Sequence, residues 1–149
     1  MRQIKEQITD YLKSLDINES SGITLTMKQF SDGERLDTVS ASRNFRHFMN
    51  LLNRKVYGSR FKRFGVRINV IPSIEVSRDG RIHYHLIIKR PKEKDPSDFF
   101  RMINEMWAKT KFGYRHNHFH PSIDQGWIEY ITKSRLERDE IDWNNFYWA

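Results

Sequence analysis

The chain has 149 residues, 38% of them hydrophobic and 30% charged, which suits one folded domain and excludes a disordered chain. It has no cysteine, so a disulfide framework, a thiolate metal site and a cysteine nucleophile are all excluded. Lys and Arg number 26 against 19 Asp and Glu, a formal charge of +7, which draws a small domain to polyanions, nucleic acid ahead of a membrane surface.

Residues 1–15 space Ile4, Ile8, Tyr11, Leu12 and Leu15 as one face of an amphipathic helix. The charges mixed into that pattern leave no signal-peptide core. No apolar run approaches the roughly 18 residues that would span a bilayer. A cytoplasmic protein without membrane contact is expected. Asn18 to Gly22 ends the helix, and Ile23 to Met27 alternates as a strand. After a turn at Ser31-Asp32-Gly33, Ser40 or Ser42 would cap a second helix to about Arg54, with Phe45, Phe48, Met49 and Leu52 on one face.

Residues 54–67 carry Arg54, Lys55, Arg60, Lys62, Arg63 and Arg67 among Tyr57, Phe61 and Phe64. Cations hold phosphates and rings stack on bases, so this run suits single-stranded nucleic acid; a solvated loop with its rings turned inward fits equally well. Strands at 66–76 and 81–89 follow. Ser97 or Asp98 starts a helix to about Lys109, residues 114–120 alternate as a short strand, and a helix runs from about 123 to 138. The aromatic tail, residues 139–149, is expected to dock on the body. The irregular alternation of strands and helices favours an α+β domain with an antiparallel sheet.

His83 and His85 are two apart in a strand and share one face, opposite Ile82, Tyr84, Leu86 and Ile88. A three-residue loop, Arg78-Asp79-Gly80, puts glycine in the left-handed position and pairs Glu75 with His83 and Val76 with Ile82. A two-residue turn would send Glu75 to the apolar face, so the apolar pattern selects the longer loop. Two imidazoles and a carboxylate on one face suit a divalent metal with open positions, although a pair of sheet histidines is also commonly just solvated. His116, His118 and His120 alternate in the same way; they face DNA or decorate a strand. Tyr130 and Lys133 share a helix face beside Trp127, Ile128 and Ile131. A phenol, with a pKa near 10, needs a nearby cation to serve as a nucleophile, and Tyr130 could equally be a half-buried helix aromatic.

Taken together, Gly22–Met27, the segment GRIHYHLII with Glu75 before it, and WIEYITK resemble the HUH endonuclease superfamily. They are most similar to the single-tyrosine catalytic domains of rolling-circle replication initiators, over about residues 20–135. The resemblance implies a single domain over 1–149, with a ferredoxin-like sheet and helices packed on one of its faces. It implies His83 and His85 as ligands for Mn2+ or Mg2+, with Glu75 the candidate third. It also implies Tyr130 as the nucleophile that forms a 5′-phosphotyrosine on single-stranded DNA at an origin. Lys133 would position the tyrosine or offset charge. Arg54, Lys55, Arg60, Lys62, Arg63, Arg67, His116 and His118 are the candidate DNA contacts. Tyr84 departs from the pattern, where the superfamily more often has an aliphatic residue. No glycine-rich phosphate loop with GK[ST] is present, so a separate helicase is the expected partner. A small single-tyrosine transposase is the rival within the same chemistry, and Lys133 disfavours it. A catalytically silent nucleic-acid-binding regulator is the rival outside it.

Overall fold

A computed structural model describes residues 2–132 and 140–149. In chain order the elements are α1 (Arg2–Lys13), β1 (Ser20–Thr26), β2 (Phe30–Ser31), β3 (Glu34–Arg35), α2 (Thr38–Tyr57), α3 (Ser59–Phe64), β4 (Val70–Val76), β5 (Ile82–Lys89), α4 (Pro96–Ala108), β6 (His118–His120), α5 (Gln125–Thr132), β7 (Glu140–Ile141) and a 3-10 turn over Trp143–Asn145. β2 and β3 form a small separate hairpin.

The main sheet is antiparallel, in the order β6-β1-β5-β4-β7. Without β7, the sequence β1-α2-β4-β5-α4-β6 is the βαββαβ ferredoxin-like pattern, so the α+β expectation holds. Alternation along each strand divides the residues between two faces. Ile23, Leu25, Val70, Ile74, Tyr84 and Leu86 enter the large core with α2 and α4, where Phe45, Phe48, Phe99 and Trp107 are fully buried. Ile71 and Ile87 point to the other face, where Leu12, Ile17, Ile128 and Ile141 cover them. Helices therefore pack on both faces, α2 and α4 on one and α1 and α5 on the other. The expected one-face packing describes only the ferredoxin-like part.

Local chemistry explains the boundaries. Asp37, rather than Ser40 or Ser42, caps α2: its side chain accepts from the Ser40 amide, and Ser40 bonds back to the Asp37 amide. α4 is likewise capped a few residues earlier than expected, by Asp95 ahead of Pro96. Gly58 divides the basic run into the end of α2 and the short α3. β4 begins at Val70 rather than residue 66. β6 is confined to His118–His120, because the side chain of Asn117 accepts from the Thr26 amide at 2.9 Å where a strand backbone would have paired.

Tyr84 stacks on Phe45 with ring centroids 4.6 Å apart, and its hydroxyl donates to buried Asp142 at 2.8 Å. Burial, with that carboxylate beside it, pushes the phenol pKa far up, so the group stays a neutral donor. The tail supplies the carboxylate. Ile141 pairs with Ser73, and the Asp142 amide donates to Pro72 O, so the proline lies in a regular register along the margin of the four-strand core.

Candidate metal centre and tyrosine site

The β4–β5 connection has the expected form. Gly80 has φ 85°, its amide donates to Ser77 O, and the Ser77 amide donates to Arg81 O. Glu75 pairs with His83 and Val76 with Ile82. Gln29 fixes the entry to β5 by bonding both backbone groups of Ile82, at 2.8 and 2.9 Å.

Across the face opposite the large core, the register sets out three rows of residues. Thr26, His83 and Glu75 form the first; His118, Thr24, His85 and Ser73 the second; His120, Gly22, Ile87 and Ile71 the third. The apolar part of the third row is covered by α1 and α5. The first two rows are polar and include the cluster.

Glu75 Oε2 lies 2.5 Å from His85 Nε2 and 3.1 Å from His83 Nε2, and the two Nε2 atoms are 3.2 Å apart. Three electron-pair donors converge on one point, and such a set needs a proton or a cation among them. Burial holds the His85 pKa below its usual value, partly opposed by the bond to Glu75, which keeps the ring neutral as a ligand must be. Thr24 Oγ1 lies 3.1 Å from His85 Nδ1; accepting from Nδ1–H, it leaves the Nε2 lone pair free toward the cluster. The donor set therefore fits a divalent cation with open positions.

Tyr130 stands over this cluster. Its ring centroid is 5.5 Å from that of His85, edge to face, and the residue is 50% exposed. The helix that presents it rests on Gly22. A Cβ there would stand 2.5 Å from the indole of Trp127, so only glycine lets Trp127 lie against β1. Trp127 in turn contacts His120, with centroids 4.7 Å apart, and Tyr130, 5.1 Å apart. Ile128 anchors the same helix in the smaller core, and Lys13 of α1 pairs with Glu129.

Other expected site residues lie elsewhere. Lys133, and the part of the expected 123–138 helix beyond Thr132, fall outside the described residues, as does the side chain of Ile131. His118 and His120 are exposed on the strand beside β1, and their register partners Thr24 and Gly22 are on the cluster's face. His116 is in the preceding loop, where its carbonyl accepts from Thr26 Oγ1. Arg54, Lys55, Lys62 and Arg63 are exposed and Arg60 and Arg67 are near them, but on and after the helices that cover the large-core face. The fold does not bring them to the cluster. Thr24, Gly22 and Trp127 complete the site and carried no individual role in the sequence. Their signal, a glycine opposite a strand and a tryptophan one turn before the tyrosine, depends on knowing that β1 lies beside β5 and beneath α5.

The fold and cluster define a ferredoxin-like α+β domain with a Glu-His-His group able to hold a metal on one sheet face. A family model for the replication-associated protein ORF2 matches residues 20–136, from the start of β1 through Tyr130. The chain belongs to that family. No curated protein and no solved structure matched it. Among the described residues, no helix is long and apolar enough to cross a membrane.

Proposed function

We propose that the chain nicks and rejoins single-stranded DNA at an origin through a 5′-phosphotyrosine on Tyr130, and so initiates rolling-circle replication of a plasmid or virus. The supporting observation is the exposed Tyr130 ring beside the convergent Glu75, His83 and His85 donors, in a chain of a replication-associated family. Those three residues would hold Mn2+ or Mg2+. Such an ion supplies a Lewis acid for a phosphate oxygen.

This chain's own residues do the rest. The Tyr130 oxygen bonds to phosphorus while the 3′ oxygen of the preceding nucleotide leaves with the bonding electrons. The phenol gives up its proton, and the leaving oxygen takes one up. The ester bond keeps the energy of the broken phosphodiester, so a 3′-hydroxyl can attack in reverse and rejoin the strand. In-line attack needs a fixed nucleophile, and Gly22, Trp127 and Ile128 hold the tyrosine helix against the sheet. Lys133 would add positive charge beside the transferred phosphate, and a separate helicase would open the duplex.

The test is covalent capture. Wild type incubated with labelled single-stranded origin DNA and Mn2+ should yield a denaturation-resistant adduct that peptide mapping places on Tyr130. Tyr130→Phe should give none while still binding DNA and metal. An adduct on another tyrosine, or full adduct in excess chelator, overturns the assignment.

A further inference from the structure

About 20 Å from His83 along β5, at the strand end that carries Lys89, lies a concave site with a volume of about 460 Å³. Six cations line it: Arg60, Arg67, Lys89, Arg90, Lys92 and Lys94. Two carboxylates also line it, Glu19 and Glu93, yet none of the eight is in an ion pair among the described residues. The backbone holds the cation-bearing segment in place. The Lys89 amide donates to Asn69 O, the Arg90 amide to Glu19 O, and the Lys94 amide closes a turn on Pro91 O. Like charges gathered without partners repel one another, and a bound polyanion relieves that repulsion.

The rings here argue against a base-stacking channel. Arg60 Cζ lies 5.5 Å above the Tyr57 centroid, and Arg67 Cζ lies 5.6 and 5.9 Å from those of Phe61 and Tyr147. The guanidinium groups cover the ring faces that unpaired bases would use. What the concavity offers is charge alone, which suits a phosphate backbone whose bases are already stacked and paired.

We infer that this end of the sheet anchors the backbone of duplex DNA flanking the single strand presented to the metal cluster. The inference rests on the proposed function only in taking DNA as the partner. Lys89, Arg90, Lys92 and Lys94 are the cations to remove, because Arg60 and Arg67 also pack on rings.

The experiment compares wild type with the Lys89→Gln, Arg90→Gln, Lys92→Gln, Lys94→Gln variant, checked for an unchanged unfolding midpoint. Two substrates are used, a short single strand containing the nick site and the same strand extended by a duplex. Affinity is measured across a salt series and adduct formation at saturating DNA. Removing four cations from duplex phosphates should flatten the log K against log salt slope by up to about 3.6, at about 0.9 for each phosphate. The expected result is that flattening, with at least about tenfold weaker binding, on the duplex-bearing substrate alone, and an unchanged adduct rate on the short strand. Equal weakening on the short strand would assign the cations to the cleaved strand and overturn the inference. So would no change on either substrate. If wild type bound duplex through these residues yet formed no adduct, the proposed nicking activity would fail and the anchor would stand.

Discussion

The two faces of β5 divide stability from chemistry. On one, Ile82, Tyr84, Leu86 and Ile88 lie in a continuous core beneath α2 and α4. On the other, only Ile87 is apolar, and His83 and His85 meet Glu75 in a gap that α1 and α5 leave uncovered. The same backbone serves both because successive side chains point opposite ways. A polar cluster with close like-natured donors is a poor stabiliser, and this fold can tolerate it because the other face carries the packing.

That division is broken most sharply by one substitution on each face. His85→Ala should lower metal affinity and adduct formation by at least about 100-fold, since a buried ligand with its own orienting partner is removed. Its unfolding midpoint should stay near wild type. Phe45→Ala, beneath Tyr84, should do the reverse, costing about 3–5 kcal/mol in denaturant unfolding while folded molecules still bind Mn2+. A large drop in stability in the first, or in metal binding by folded protein in the second, would show that the faces are not independent.

A smaller effect tests the glycine beneath the tyrosine helix. Gly22→Ala should push Trp127 and α5 off β1, slowing adduct formation about 10- to 100-fold by displacing the nucleophile. Mn2+ affinity should not change, because Glu75, His83 and His85 are on other strands. Adding Trp127→Leu should recover part of the rate by making room for the new methyl group. An equal drop in metal affinity in Gly22→Ala would mean that the site responds as one unit.

The smallest effect is expected at Thr24. Thr24→Val removes the oxygen beside His85 Nδ1 and leaves the shape nearly unchanged. Mn2+ affinity by calorimetry should fall about tenfold, at the low end for removal of such an orienting partner. Unchanged affinity would mean that Glu75 and His83 orient His85 unaided.

How much of this was legible depended on distance along the chain. The Glu75–His83 register could be read because an alternating strand, a three-residue loop and a glycine at Gly80 are all close neighbours in sequence. The apolar faces of α2 and α4 were legible for the same reason, as periodic patterns within single helices. Asp37 was missed as a cap in favour of serines that share its chemistry, a displacement of a few residues that did not alter the helix.

Other features required chain segments far apart in sequence to meet. Thr24 beside His85, Gly22 beneath Trp127, and Asp142 on the hydroxyl of Tyr84 each join such segments. The second helical layer, and the separation of the basic run from the cluster, follow from the same packing. By itself, the sequence determined which residues share a strand face and which chemistry they can perform, because alternation and loop length are local. The tertiary structure alone decided which strands became neighbours, and so what holds His85, what seats Tyr130, and where the positive charge gathers, because burying apolar surface on both sides of one sheet is a property of the whole chain.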